Sequence, residues 1–319
     1  MATYNGEKYL QEQLDSFVQQ TRQPNELVIT DDCSTDDTLS IIAEFADTAP
    51  FAVSWEQNEK NLGYTGNFNQ ALMKTTGDLV FLSDQDDVWF PDKLARMERY
   101  ALDDPNALVV MNDAALTDSE LNDTGLTKQG QIASGGMTHS SFVMGCCAVV
   151  RRELLDACLP IPTHYKGHDG WIVKMAEGVG RKRVVSDVLQ WYRRHDENES
   201  QFIANRTTKV TRGMAFRRTL MNAFLGNDPH KQLSTATDQA RCFLEGVRGA
   251  STRAVEPLSA ALSKYAVELE ARLMAAEQRR MVRAKPRLAR LPAIVDLWRG
   301  GGYAQFSGMK SAVRDLVFR

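Results

Sequence analysis

The chain has 319 residues, 43% of them apolar and 25% charged, with a formal net charge of −3. This suits one large globular domain, or a domain with a smaller appendage. No run approaches the roughly 18–20 uninterrupted apolar residues of a membrane span, and the opening MATYNGEKYLQEQLDS lacks the apolar stretch of a secretory signal.

In chain order, short apolar runs alternate with amphipathic stretches, as in an α/β sheet. GEKYLQEQLDSFVQQT places Leu10, Leu14, Phe17 and Val18 at helical spacing, and NELVITDD is a short buried strand ending on carboxylates. STDDTLSIIAEFA opens with capping residues and continues as a helix. FAVSWEQ reads as a strand, YTGNFNQALMKT as a helix and GDLVFLSD as a strand. FPDKLARMERYAL is a helix with Pro91 in its first turn, and ALVVMND is again a strand. Residues 115–140, polar and rich in Gly, Ser and Thr, read as a mobile loop over a site. SSFVMGCCAVVRRELLDACL gives a strand and a helix, GHDGWIVKMAEG a helix, and KRVVSDVLQWYRRH one or two strands. Beyond about residue 200 only helical patterns remain, among them a long one with Leu258, Leu262, Tyr265, Leu269 and Leu273 on one face.

Charge divides along the same line. Residues 201–319 carry 21 Lys and Arg against 9 Asp and Glu, and residues 1–200 carry 17 against 32. An acidic body with a basic arm suggests work beside an anionic surface, and a solvated helical face explains the arm equally well. The five cysteines (Cys33, Cys146, Cys147, Cys158 and Cys242) form no C-x-x-C pair and read as reduced thiols of a cytosolic protein.

Two of the strands end in Asp clusters. Ligands of open α/β sheets bind outside the carboxyl ends of the strands, so both clusters are expected to line one crevice. Asp84-Gln85-Asp86 suits a divalent cation such as Mg²⁺ or Mn²⁺, which favours carboxylate oxygens and commonly bridges them to a diphosphate. Asp87 reads as a cap for the helix at Pro91.

MATYNGEKYLQEQLDSFVQQT, ITDDCSTDDT, NLGYTGNFNQAL, TTGDLVFLSDQDDVWFPDKL and YRRHDENES together resemble the family 2 glycosyltransferases of GT-A fold, in the branch of bacterial rhamnosyltransferase-like enzymes that build O-antigen and capsule. The resemblance is strong over 1–110, weaker over 140–200 and faint beyond. It implies an α/β GT-A domain, a mostly parallel open sheet flanked by helices, over 1–200, with a helical C-terminal appendage over 201–319. Family members carry an apolar strand just before the M-A-T-Y-N block, so the first strand is expected to be truncated or the start misassigned.

The resemblance also implies roles. Thr3, Tyr4 and Asn5 match a segment around base and ribose, Asp31 and Asp32 a pair at the pyrimidine ring, and Asn61, Leu62 and Gly63 a segment near the nucleotide. Asp84 is matched to the ribose, and Asp86 and His195 to the metal, whose charge neutralises the leaving diphosphate. Asp169 in GHDGW matches the base that deprotonates the acceptor hydroxyl, with His168 where the family often has Glu. Each has a plainer alternative: Asp31, Asp32 and Asp169 as helix caps, and His195 as a surface loop residue. Arg193 and Arg194 meet a diphosphate or only solvent.

The implied reaction is inverting transfer of a sugar from a dTDP- or UDP-linked donor to a glycan or lipid-linked acceptor. Two rivals differ in class. A haloacid-dehalogenase-like phosphatase shares the DQDDV pattern but needs a downstream Lys and further Asp pair, and a catalytically inactive binding module would not need Asp169. The C-terminal KPRLARLPAIVDLWRGGGYAQF mixes Arg with Leu, Ile and Trp298, as segments at a membrane surface do, with Pro286 and Pro292 expected to break any long helix. No nucleic-acid recognition motif is present.

Overall fold

In the computed structural model the described residues are 1–138, 141–196, 198, 202–225, 229–306 and 308–317, with side chains at 219, 220, 222–225 and 229–234 excepted. Positions 139 and 140 of the polar stretch and 197, 199 and 200 of the YRRHDENES block lie outside them. The chain divides into two compact units, Met1–Ala215 and Phe216–Arg319.

The first unit opens with β1 (Ala2–Thr3), α1 (Leu10–Val18), β2 (Glu26–Asp31), α2 (Thr38–Thr48), β3 (Ala52–Gln57) and α3 (Gly63–Lys74). β1, β2 and β3 form a parallel three-stranded sheet, with Thr3 beside Asp31 and Asp31 beside Gln57. Helical spacing turns Leu10, Leu14 and Phe17 of α1 into one core with Ile29, Ile42, Phe45, Trp89 and Leu94. Fully burying each such side chain contributes about 1.5–3 kcal/mol.

There follow β4 (Leu79–Phe81), β5 (Val88–Trp89), α4 (Lys93–Asp103), β6 (Val109–Thr117), β7 (Asp123–Thr127), α5 (Lys128–Ser134), β8 (Ala148–Arg151), α6 (Arg152–Cys158), α7 (His168–Gly178) and β9 (Lys182–Arg193). They build a second, mixed sheet of order β4-β8-β6-β9-β5, with β7 paired to β6. Its central pair, β6 and β9, is parallel, and the other pairs are antiparallel. β6 is buried along its whole length, its polar residues Asn112, Asp113 and Thr117 included.

Three expectations are corrected. Residues 115–134 are not a loop: Thr117 to Thr127 turn back as a hairpin, and α5 follows, capped by Thr127 Oγ1 accepting from Gly130 N at 3.1 Å. Asp87 caps no helix, because β5 intervenes and Asp92 stands at the N-cap of α4. Pro292 does not end a helix either (see below).

The boundary between units falls within α8 (Arg212–Leu225). The second unit continues with α9 (Pro229–Arg253), α10 (Leu258–Ala284), α11 (Arg287–Arg299) and α12 (Met309–Val317). α11 starts directly after Pro286 and runs through Pro292. Its buried face is held from outside the helix: Val282, Ile294, Leu297, Tyr303 and Ala312 form a core. Beneath them Asp315 is fully buried, bonded by Arg279 at 2.7 and 3.0 Å, Arg283 at 2.6 Å and the Tyr303 hydroxyl at 3.0 Å. A buried carboxylate needs such partners, since an unpaired one costs several kcal/mol.

Candidate active site at the carboxyl ends of β2 and β4

β2 ends on Asp31, and its carboxylate is enclosed by the chain's own donors. Thr3 Oγ1 donates at 2.9 Å, Ser34 through Oγ at 2.5 Å and N at 2.8 Å, and Gln57 Nε2 at 3.2 Å. Asp32 accepts from Leu62 N at 2.8 Å and Asn58 Nδ2 at 2.9 Å, while its carbonyl takes Asn61 Nδ2 at 3.1 Å. Both carboxylates are buried, and they act as the frame of the surface above. Tyr4, Asn5, Asn61 and Gly63 remain exposed on that frame. Asn5, at φ 46°, accepts from Thr35 N at 2.9 Å, and Gly63, at φ 70°, has open space where a Cβ would stand.

β4 leads into Asp84-Gln85-Asp86-Asp87. Gln85 ties this turn to the first loop: Tyr4 N donates to its Oε1 at 2.8 Å and its Nε2 donates to the Tyr4 carbonyl at 3.0 Å. Gly6 permits this, since a Cβ there would lie 2.5 Å from Gln85 Oε1. Asp86 Oδ2 meets His195 Nε2 at 2.8 Å and accepts from Asn198 Nδ2 at 2.8 Å. The Asp86 and His195 roles expected from sequence therefore fall on two residues in contact. Arg193 does not face solvent. It is buried, donates to the Asp86 carbonyl at 2.9 Å and the Ser119 carbonyl at 2.6 Å, and pairs with Glu12.

Asp87 and Lys93 went unread as a pair in the sequence. Both are fully buried beneath the turn. Asp87 accepts from Gln190 Nε2 at 2.9 Å, and Lys93 Nζ donates to the Cys146 carbonyl at 2.7 Å, bonds Gln190 Oε1 and sits 3.9 Å from the Trp89 ring centre. Burial, then the Asp86 and Asp84 charges, holds Asp87 well above the usual carboxylate range. Burial draws Lys93 down to about 8 against the neighbouring acidic groups. Burial, reinforced by Asp86 and Asp169, pushes Asp84 up to about 7.

The Asp169 charge is one of the two that raise Asp84. Asp169 lies in the first turn of α7, half-buried, where Gly170 N donates to its Oδ1 at 2.6 Å. A helix N-terminus favours the ionised form a base needs at the start. His168 beside it is buried and stacked on Phe68 with ring centres 3.7 Å apart, and neither ring nitrogen has a partner. Burial lowers it to about 4, so it is held as a neutral ring.

Two groupings could hold a cation. Ligand atoms of Asp84, Asp87 and Cys146 lie within 4.8 Å of one another. However, burial holds the Cys146 thiol well above its ordinary range, which disfavours the thiolate that would bind a metal. The Asp86–His195 pair fits a hard cation better. Its 2.8 Å separation is close to the edge of about 3 Å that octahedral bonds of about 2.1 Å require. A cavity of about 640 Å³ is lined by Arg22, Glu26, Glu98 and Arg152 among others, and reaches Ser83, but none of Asp84, Asp86 or Asp169 is in its wall.

The sequence model of the family described as "Glycosyl transferase family 2" matches residues 1–159. Over 242 residues the chain is 28% identical to an uncharacterized glycosyltransferase of Nostoc sp., covering 70% of this chain and 74% of that one. Over 98 residues, 30% of this chain and 34% of the relative, it is 38% identical to the dTDP-rhamnosyl transferase RfbG of Shigella flexneri. It spans 65% of the length of a Mycobacterium tuberculosis relative at 29% identity over 229 residues, 68% of this chain. The solved structure of S. aureus TarS 1–349 with UDP shares the fold at a TM-score of 0.54 and 19% identity, over 87% of this chain and 88% of that one. Residues 1–159 thus match the family 2 glycosyltransferase model, the chain shares the GT-A-like fold of its solved neighbour, and the phosphatase alternative is not favoured.

Proposed function

We propose that the chain moves a sugar from a nucleoside-diphosphate donor to an acceptor hydroxyl, with inversion, by an in-line displacement in which Asp169 takes the acceptor proton. The observation that carries this is the contact of Asp86 with His195 at 2.8 Å on the turn after β4, supported by Asp169 in the first turn of α7, whose charge helps raise Asp84 beside them. Asp86 and His195 would hold Mg²⁺ or Mn²⁺, and such a cation, when bound, supplies Lewis-acid stabilisation of the departing diphosphate.

Asp84 is assigned to the ribose. Asp31 and Asp32 are assigned to the base end of the donor as the frame that sets Thr3, Tyr4, Asn5, Asn61 and Gly63 around it. A uracil or thymine nucleotide is favoured: the fold neighbour TarS was solved with UDP, and the partial relative RfbG is named for dTDP-rhamnose transfer. Rhamnose is the sugar we would try first. The acceptor is assigned to the glycan or lipid-linked glycan class of cell-surface polysaccharide synthesis, met at the cytoplasmic face of a membrane through the basic C-terminal region.

The test is a panel of UDP-, dTDP- and GDP-sugars, scored for binding and for transfer or hydrolysis. Turnover of a UDP- or dTDP-sugar supports the proposal, and turnover only of a phosphomonoester would overturn it.

A further inference from the structure

No described helix is long and apolar enough to cross a membrane, yet α11 presents an apolar stripe outward. Leu288, Leu291, Val295 and Trp298 are 90%, 50%, 44% and 44% exposed. At 3.6 residues per turn they fall within roughly 80° of arc. The buried side of the same helix is a different set, Arg290, Ile294 and Leu297. Arg287 and Arg299 flank the stripe on either side. α12 repeats the pattern: Met309, Val313 and Val317 are exposed at helical spacing, with Lys310 and Arg314 beside them.

The charge around these faces has one sign. Among the described residues of 279–317, Arg280, Lys285, Arg287, Arg299, Lys310 and Arg314 are exposed, against one exposed acid, Asp296. The other acid, Asp315, is buried and taken up by Arg279 and Arg283. A second copy of the chain would bring six bases against six, and a nucleic acid would leave the central stripe of Leu, Val and Trp without a partner. An anionic bilayer surface satisfies both halves at once: headgroups take the bases, and the boundary layer takes the apolar stripe and the indole.

We propose that α11 and α12 form an interfacial docking surface for an anionic lipid membrane. This deepens the membrane part of the proposed function, names the residues that make it, and does not depend on the transfer chemistry.

The test is flotation of the full chain with vesicles of phosphatidylcholine alone and of phosphatidylcholine mixed with phosphatidylglycerol. Wild-type protein is expected to float with the anionic vesicles at low salt and not with the neutral ones. Arg287→Gln and Arg299→Gln are each expected to lower partition about fivefold. Leu288→Ser with Trp298→Ser is expected to lower it roughly tenfold or more. Donor-nucleotide binding, measured on the same samples, stays unchanged in all variants. If donor binding is absent throughout while flotation persists, the transferase reading falls and the docking surface stands. Failure of the wild type to float, or flotation of both variant sets like wild type, overturns the surface. So does a dimer in light scattering that the Leu288→Ser, Trp298→Ser pair dissociates, which would make the face a contact between copies.

Discussion

Gln85 and Tyr4 close a two-point pair, side-chain amide against backbone, at 2.8 and 3.0 Å. It joins the turn that carries Asp84 and Asp86 to the loop that carries Thr3, Tyr4 and Asn5, so the two ends of a bound donor would be held by parts that cannot shift independently. Each hydrogen bond is worth about 1 kcal/mol net. Gln85→Ala should therefore weaken nucleotide binding about five- to tenfold. Gly6→Ala, which drives a Cβ to 2.5 Å from Gln85 Oε1, should act in the same direction. Calorimetric titration with UDP or dTDP checks this, and unchanged affinity in both variants would break the link.

Asp169 accepts only the N–H of Gly170 from its own helix turn among the bonds described, which leaves carboxylate lone pairs for an acceptor. Asp169→Asn should lower the transfer rate by roughly 10²–10⁴ while donor affinity changes little. Equal losses in rate and donor affinity would mean that Asp169 supports the fold of the site and not the proton transfer.

His168 makes stability depend on pH. Its folded value of about 4 lies below the ordinary 6.5. Above pH 6.5 both folded and unfolded chains hold it neutral. As pH falls from 6.5 to 4, the unfolded chain takes a proton that the folded chain refuses. Stability is lost across that window, by about 3 kcal/mol in total. Urea unfolding of wild type and His168→Phe at stepped pH isolates this contribution. The variant should show the shallower loss, and parallel curves would contradict the buried neutral ring.

Lys93 and Asp87 share Gln190 under the acidic turn. Lys93→Met leaves the buried Cys146 carbonyl and Gln190 Oε1 without their donor, so it should destabilise by about 1–3 kcal/mol. Lys93→Met with Asp87→Asn should cost less than the two single changes together. Denaturation midpoints decide this, and strict additivity would show that the two do not act as one network.

The elements of the first unit were legible because their periods differ so plainly: Leu10, Leu14 and Phe17 recur at helical spacing, and ELVITD is a continuous buried run. The strand-end position of Asp84 and Asp86 was legible for the same reason. Lys93 was not. In FPDKLARM it reads as the exposed start of an amphipathic helix, and only the tertiary path of β5 and β9 places it under the turn. Asp87 was misread because a carboxylate shortly before Pro91 is locally indistinguishable from a cap, and the two-residue strand β5 has too short a pattern to see. The hairpin at 117–127 hid in polar residues because its outer strand has a solvent face. Pro292 stays inside α11 because packing around Ile294 and Leu297 outweighs the lost hydrogen bond, a balance that propensity alone cannot register.

The most direct measurement is calorimetric binding of UDP- and dTDP-sugars with Mg²⁺ or Mn²⁺ and again with EDTA, on wild type, Asp86→Asn and His195→Ala. Expected is metal-dependent binding of at least one donor, lost with EDTA and weakened by at least about tenfold in both variants. Binding that is indifferent to EDTA and to both substitutions, or no binding across the panel, would contradict the site.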